Sequence, residues 1–388
     1  MAEKKIITKK DWVSNFNLIG RPKINENYTF KIDERSTKSN WVYSSMNLGV
    51  DCGERFGVIY SELMGGYSED NENRIYAHGK KDDGTDDFEN QTIVAWEDRF
   101  NEDILEDIGD LSFITVGLEK TDKDKTFYKK FLSAYDAVAY IKEHITEDMV
   151  VNIRGNLKYS TYNDVVQVRK NITSIVLSKV EDPADFRATF TQSVLIDKDS
   201  ASLKNIDKDK GVVYIDAKVL DYVKEVNGIE VKGQYPYNKR FEFEMDFTNE
   251  AMCKKIMDKL FKVKKGVTQI TFEGELIEGG AVVAVTWEDV PEEIKELVEM
   301  NVYSKEEAIE KCSANGNRER RMVLKKPSIR LVGEENKKAV VQKFEERYKE
   351  EDLVLDYLYK NDDSDDEPPF DVEEEASTDD SMDWLAAL

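Results

Sequence analysis

The chain has 388 residues, with 80 Asp and Glu against 56 Lys and Arg and a formal net charge of −24. This length fits two compact domains, and the charge excludes a surface coated in cations but not one local basic groove. Three widely separated cysteines and two histidines argue against a disulfide framework and structural zinc. No stretch is apolar enough for a signal peptide or a membrane span, so we expect a cytoplasmic protein without membrane attachment or cofactor.

The first half of the chain contains strand signals followed by one helical segment. Residues 1–24 are interpreted as an N-terminal arm. Short alternating runs rich in aromatic and β-branched residues predict strands at 28–33, 41–50 and 56–63. An acidic insertion (68–91) and a second excursion (96–126) precede a predicted helix at 127–144. The strand VNIRGNL (151–157), a turn and the strand VVQVRKNITSIVL (165–177) then form a predicted hairpin.

The second half repeats this order. Strands are predicted at 212–223 and 240–247, and a helix is predicted at 249–263 with Asn249 as its N-cap. The strand ITFEGEL (270–276) then leads through a Gly-rich turn into AVVAVTW (281–287). Further segments are a helical insert over 291–312, a strand at 321–332 whose Pro327 indicates an edge or a bulge, and a helix at 336–350.

Each half therefore places an apolar-x-apolar-x-Gly-x-Leu strand directly after a helix. Glycine inside a strand is costly unless it marks a bulge or a tight barrel corner, so Gly155 and Gly274 predict curled strands. Three strands, a helix and a closing hairpin make the five-stranded barrel of the OB-fold; two unrelated β domains are the alternative. The predicted fold class is mainly β with some helix, with OB-like domains at 25–180 and 186–333, a linker at 181–185, a C-terminal helix within 334–360 and a disordered acidic tail at 361–388.

No catalytic constellation is present in the sequence. The chain has no P-loop, no GxSxG and no HExxH motif, so we predict that it is not an enzyme. Acidic pairs such as Asp82 with Asp83 and Asp86 with Asp87 leave open a metal-dependent nuclease, although solvated loop residues explain them as well.

Bases and aromatic residues are interleaved on the predicted barrel strands. Single-stranded nucleic acid is held by aromatic faces that stack on bases and by cations that follow the phosphates. Around the first hairpin, apolar residues at alternate positions face inward, and the candidate ligands are Arg154, Lys158, Tyr159, Tyr162, Arg169 and Lys170. Further candidates are Trp41, Tyr43, Tyr60, Tyr235, Tyr237, Lys239 and Arg240. Ordinary core packing is the alternative for each aromatic residue.

The densest basic run is NRERRMVLKK (317–326), which supplies Arg318, Arg320, Arg321, Lys325 and Lys326. These cations could line a phosphate path. They could equally protect a solvated edge strand against pairing with another chain.

The last 28 residues contain twelve carboxylates and no Lys or Arg, so the remainder of the chain carries a net charge of −12. This composition is typical of a disordered segment. Within it, DDEPPFD (365–371) and SMDWLAAL (381–388) place apolar side chains beside acids, and Phe370, Trp384, Leu385 and Leu388 are candidate contacts to a partner protein.

This arrangement resembles the single-stranded DNA-binding proteins, particularly the phage-encoded kind, which join OB-folds to an acidic tail with an apolar or aromatic tip. The resemblance implies sequence-independent binding of single-stranded DNA in replication or recombination, in the bacterial host cytoplasm if the chain is phage-encoded. It also implies that the tail recruits replication or recombination proteins and competes with DNA. The alternative is an adaptor or inhibitor whose acidic tail mimics DNA. The sequence leaves the oligomeric state open.

Overall fold

The computed structural model describes residues 7–37, 39–163, 165–226, 228–279, 287, 290–300, 303–305, 308–309, 320–333 and 338–355. Outside these residues lie the strand predicted at 281–287, apart from Trp287, and most of the second half of the helical insert predicted over 291–312. Arg318 and the whole tail, with Phe370, Trp384, Leu385 and Leu388, also lie outside them.

The first half of the chain consists of ten strands and two helices within the described ranges. They are β1 (Ser14–Lys23), β2 (Phe30–Arg35), β3 (Trp41–Asp51), β4 (Val58–Ser68), β5 (Arg74–Lys80), β6 (Asp86–Ala95), α1 (Glu102–Leu105), β7 (Ile114–Lys120), β8 (Thr126–Phe131), α2 (Ala134–His144), β9 (Val151–Tyr162) and β10 (Val165–Leu177).

Five of these strands close into a barrel. β1 pairs with β3, β3 with β4, β4 in parallel with β10, β10 with β9, and β9 again with β1. Helix α2 lies between the third and fourth barrel strands, where Ser133 caps it by accepting a hydrogen bond from the Tyr135 N–H (3.2 Å). This is the strand order of the OB-fold that the sequence predicts. β5 and β6 form a separate hairpin, whereas β7 and β8 extend the barrel sheet from β10.

The second half repeats the arrangement. Its elements are β11 (Arg187–Ile196), β12 (Ala201–Asp207), β13 (Val212–Val226), β14 (Ile229–Glu244), α3 (Glu250–Ile256), β15 (Val267–Glu278), α4 (Glu292–Glu299), β16 (Arg320–Pro327), β17 (Ile329–Val332), β18 (Lys338–Val341) and β19 (Lys343–Tyr348). Asn249 caps α3 as predicted, accepting from the Met252 N–H at 3.0 Å, and a π-helical turn (Met257–Phe261) follows α3.

The second barrel closes through the pairs β11–β13, β13–β14, β14–β16 (parallel), β16–β15 and β15–β11. β16 therefore fills the place of the fifth strand, after the insert that contains α4. The mainly β, OB-like fold class predicted from the sequence is confirmed.

Gly155 and Gly274 each lie close to a neighbouring backbone and to a phenylalanine ring. A Cβ atom on Gly155 would lie 1.9 Å from the Asn171 carbonyl oxygen and 2.8 Å from the Phe16 ring. A Cβ atom on Gly274 would lie 2.4 Å from the Phe190 ring and 2.5 Å from the Val323 carbonyl oxygen. The partner strand is irregular opposite both glycines. The predicted bulges are thus present, and only glycine leaves room for the phenylalanine beneath.

The barrels are joined through their first strands. Residues 14–19 of β1 pair antiparallel with residues 187–192 of β11, so that Phe16 lies opposite Phe190. One hydrophobic cluster contains buried residues of both halves. β1 begins at Ser14 and is largely buried, so residues 14–23 of the N-terminal arm predicted at 1–24 belong to the first barrel.

Two predicted helices are wrong in part or in whole. Residues 127–131 of the helix predicted at 127–144 belong to β8, because this segment pairs with β7. The helix predicted at 336–350 is replaced by β18 and β19, since β18 pairs with β17 and β19 with β15. Among the described helices, none has the length and apolar character needed to cross a membrane.

Candidate nucleic-acid interface

The outer face of β3 and β4 carries the strand aromatics predicted from the sequence. Alternation along β3 buries Val42, Met46 and Leu48 in the core and turns Trp41 and Tyr43 outward. The Trp41 and Tyr43 rings are stacked, with centroids 5.0 Å apart and planes inclined by 13°. These two rings thus form one aromatic surface at the start of β3.

Tyr60 on β4 adds a third ring to this face. It is paired across the sheet with Gly49, and a Cβ atom at that glycine would lie 3.2 Å from the Tyr60 ring. Because glycine has no side chain, the ring can lie flat across β3. Exposed Met64 shares the face, on the same parity of β4. We did not predict Met64, although its spacing of four residues from Tyr60 was visible in the sequence. We call Trp41, Tyr43, Tyr60 and Met64 the aromatic plate.

One acid interrupts the plate. Glu62 lies between Tyr60 and Met64 on β4, and Arg169 on the neighbouring strand β10 approaches it with an N–O distance of 3.7 Å. Burial raises the pKa of Glu62 above its usual range, and the cations of Arg169 and Lys170 partly oppose that shift. The predicted ligand Arg169 therefore lies beside the plate, but the Glu62 carboxylate partly neutralises its charge.

The β9–β10 hairpin divides into an exposed and a buried set. Arg154, Lys158 and Tyr162 are exposed, as predicted. Tyr159 is only 4% exposed; its O–H donates to Gln192 Oε1 (2.9 Å) and its N–H to Asp221 Oδ2 (2.8 Å), so the second barrel covers it. Burial raises the pKa of the Tyr159 hydroxyl. A base cannot stack on this ring, and that prediction is wrong.

Lys170 is also removed from the surface. Lys170 is buried, and its Nζ lies 2.5 Å from Oε1 of the largely buried Glu278 on β15. This ion pair joins the two barrels, so the prediction that Lys170 contacts phosphate is wrong. Lys158 is exposed but lies 3.5 Å from Asp221.

The predicted ligands of β14 are mostly engaged with protein groups. Tyr237 is 4% exposed, burial raises its pKa to about 12, and the half-buried Tyr235 contacts it edge-on at 4.8 Å. A base cannot stack on Tyr237, so the prediction that it contacts nucleic acid is wrong. Burial, with Lys170 nearby, lowers the pKa of Lys239. Arg240 donates two hydrogen bonds, of 2.7 and 2.9 Å, to the Asp216 carboxylate.

The basic run on β16 is paired with acids. Arg321 contacts Glu242 at 2.5 Å, Lys326 contacts Glu273 at 3.1 Å, and Lys325 contacts Glu244. Arg320 is exposed at the start of the strand. Most of this run is therefore neutralised locally, as expected for the alternative of a charge-protected strand.

The acidic pairs of the first insertion have local partners. Asp83 accepts from Thr85, Asp86 from the Leu111 N–H, and Asp87 from Asn90. Among the residues that the structure describes, no three His, Cys, Asp or Glu side chains are grouped as metal ligands.

Comparison with known proteins gives structural matches only. No protein-family model matches the chain, and no curated protein does. Among solved structures, the chain is similar to the wild-type single-stranded DNA binding protein from Thermus aquaticus (TM-score 0.29, 7% identity, 69% of this chain and 86% of that chain). A deletion mutant of the same protein gives TM-score 0.29, 9% identity and coverages of 69% and 87%. At these values the likeness supports no functional conclusion, and the barrel assignment rests on the strand pairing.

Proposed function

We propose that this chain binds single-stranded DNA without sequence preference and performs no chemistry on it. The observation that carries the proposal is the aromatic plate on the outer face of the second and third strands of an OB-type barrel, a face that this fold uses for oligonucleotides. Stacking needs only the flat face of a base, which every base has, so such a plate does not select a sequence.

The cations around the plate would hold the phosphates. Arg169 borders it, and Arg154 and Lys158 lie exposed on β9, two strands from β4. Binding that neutralises phosphates weakens as salt rises, because condensed counterions are released. Arg320 and Tyr162 remain candidate contacts, as do Tyr235, Lys239 and Arg240 at the margin of the second barrel.

A titration of labelled oligo-dT tests the proposal. The full chain should bind at submicromolar concentration, with an affinity that falls steeply between low and physiological salt. An absence of salt-sensitive binding in this range would overturn the proposal. The chain is also incubated with labelled DNA and Mg²⁺. DNA that stays intact indicates passive binding, whereas cleaved DNA indicates a nuclease.

The cellular process and the function of the tail are part of the same proposal. We place the chain in phage DNA replication or recombination, with residues 361–388 recruiting a replication protein through Phe370, Trp384, Leu385 and Leu388 and competing with DNA. The support is the composition of this segment, with twelve carboxylates and an apolar end. Deleting 361–388 should preserve or tighten DNA binding and abolish capture of the partner; unchanged capture would contradict the tail assignment.

A second function is favoured by the ion pairs. Several predicted phosphate ligands contact carboxylates of the same chain, which suits an adaptor or inhibitor that binds proteins and uses its acidic tail as a DNA mimic. The two functions differ in the same titration, because an adaptor would leave oligo-dT free at low salt.

A further inference from the structure

The β7–β8 hairpin carries two aromatic side chains that the barrel does not bury. Phe127 is 48% exposed and Tyr128 is 59% exposed. A Cβ atom at Gly117 would lie 3.0 Å from the Tyr128 ring, so the glycine lets this ring lie flat across β7. An open groove of about 550 Å³ lies at the hairpin end, lined by Phe127, Tyr128, Thr121, Asp122, Lys123 and Lys125.

The charge of this hairpin is opposite to that of the chain. Residues 120–131 contain five lysines and two aspartates, a net charge of +3 in a protein of −24. Lys120 and Lys130 are paired with Asp124 and Asp110. Within the described ranges, Lys123, Lys125 and Lys129 have no carboxylate partner; Lys129 instead lies 4.6 Å from the Tyr140 ring centroid. Three cations thus remain for an anionic ligand.

The strand register connects the hairpin to the β9 surface. Lys130 on β8 is paired with Thr115 on β7, Thr115 with Ser174 on β10, and Ser174 with Arg154 on β9. Residues paired across a sheet share a face. Lys130 and Arg154 therefore lie at the two ends of one row of side chains on the outer face. Only the small side chains of Thr115 and Ser174 lie between Lys130 and Arg154 in this row. The two cations are three strand spacings apart, or about 14 Å.

We propose that the β7–β8 hairpin is a second contact site for single-stranded nucleic acid, which reaches it from the plate by way of the exposed Arg154 on β9. Bases stack on Tyr128 and Phe127, and phosphates lie near Lys123, Lys125 and Lys129. Because neighbouring strand residues point to opposite faces, the two rings stack bases on either side of the β8 edge. This inference rests on the proposed function, since it extends the path of the same ligand. Asp122 in the groove opposes binding.

The test compares oligo-dT molecules of increasing length on the full chain. The variant F127A/Y128A should bind short oligonucleotides as the wild type does and bind long ones roughly tenfold more weakly, as expected for lost stacking. A Trp41→Ala variant should instead weaken binding at every length. Equal affinity of F127A/Y128A and wild type for long oligonucleotides would overturn the second site, whereas a wild type that binds no length would overturn the proposed function and the second site with it.

A matched control comes from the β5–β6 hairpin. Tyr76 and Phe88 are 62% and 63% exposed, but residues 74–95 hold five acids against three Lys and Arg. The variant Y76A/F88A should leave binding unchanged at all lengths; a loss equal to that of F127A/Y128A would show a general effect of removing surface aromatics and contradict the site.

The cations give an independent measurement. K123Q/K125Q should reduce the slope of log affinity against log salt by about 1.4 for long oligonucleotides, given about 0.7 per phosphate on a single strand. An unchanged slope would exclude both lysines from the path. Circular dichroism checks that each variant is folded. We expect folding to be retained, because the replaced side chains are exposed.

Discussion

In the proposed function, base stacking depends most on Trp41 and Tyr60. Each lies on the outer face of the barrel sheet, and neither fills the core. We expect Trp41→Ala and Tyr60→Ala each to weaken oligo-dT binding by about 1–3 kcal/mol, or roughly 5- to 150-fold. Anisotropy titration measures this. Tyr76→Ala, which removes a more exposed ring from an acidic hairpin, is the control, and an equal loss there would contradict the plate.

Glu62 should make binding depend on pH. Burial raises its pKa, so the carboxyl takes up a proton at a higher pH than an exposed glutamate, and lowering pH through this pKa removes a negative charge that repels phosphate. Wild-type affinity should therefore rise as pH falls. Glu62→Gln should tighten binding at neutral pH by about 1 kcal/mol, or about fivefold, and remove this part of the pH dependence.

The control for Glu62 is Glu273→Gln, which removes a carboxylate from β15, in the other barrel. It should leave the pH profile of binding intact. If Glu62→Gln keeps the wild-type profile, another group titrates.

At the scale of elements, Gly155 should be especially sensitive to substitution, because among the glycines that the structure describes it leaves the least room for a Cβ atom. Gly155→Ala places a methyl group within 1.9 Å of a backbone oxygen, so we expect it to lower the free energy of unfolding by about 3 kcal/mol. Gly84→Ala tests conformational strain alone, because Gly84 has φ +83° and nothing within 4 Å of its Cβ position; it should cost about 1 kcal/mol. Urea unfolding gives both values, and equal costs would contradict the contact explanation.

The barrels could be predicted because their strands alternate locally and their glycines recur after a helix. β1 and β11 could not, because they lie where the barrels meet and both of their faces are covered. Leu18, Ile19 and Gly20 are consecutive buried residues in β1, and the residues from Gln192 to Ile196 are all buried in β11. Such runs lose the period of two on which strand prediction depends.

The helix predicted at 336–350 failed for a different reason. Its residues have good helix propensity, but the differences between residues amount to only a few tenths of a kcal/mol each. In β19, Tyr348 is buried and its O–H donates to the Thr8 carbonyl oxygen at 3.0 Å. Pairing with β15 and this long-range contact outweigh the local preference.

At the scale of the whole molecule, the aromatic part of the candidate site was more predictable than the basic part. The direction in which Trp41, Tyr43 and Tyr60 point follows from strand alternation. Whether a cation is paired depends on residues far away in the sequence, as Lys170 and Glu278 show across 108 positions. The sequence therefore predicts where positive side chains occur but not which of them are paired with an acid.

The same long-range contacts should make both barrels unfold together. Asp221 on β13 is buried and accepts from the Tyr159 N–H of the first barrel at 2.8 Å, while Lys9 and Lys158 lie 3.3 and 3.5 Å from it. Asp221→Ala leaves the Tyr159 N–H and Lys9 without their partner, so it should lower the free energy of unfolding by about 3 kcal/mol. Asp221→Asn keeps an acceptor oxygen and should cost less.

Hydrogen exchange in urea shows whether Asp221→Ala destabilises both barrels together or only one of them. Because β1 and β11 form one ladder and the barrels share one hydrophobic cluster, peptides from β3 and from β14 should lose protection at the same urea concentration in the wild type. In Asp221→Ala both should shift to the same lower concentration. If only β14 loses protection early, each barrel is stable alone, and the β1–β11 pairing is an interface between independent domains.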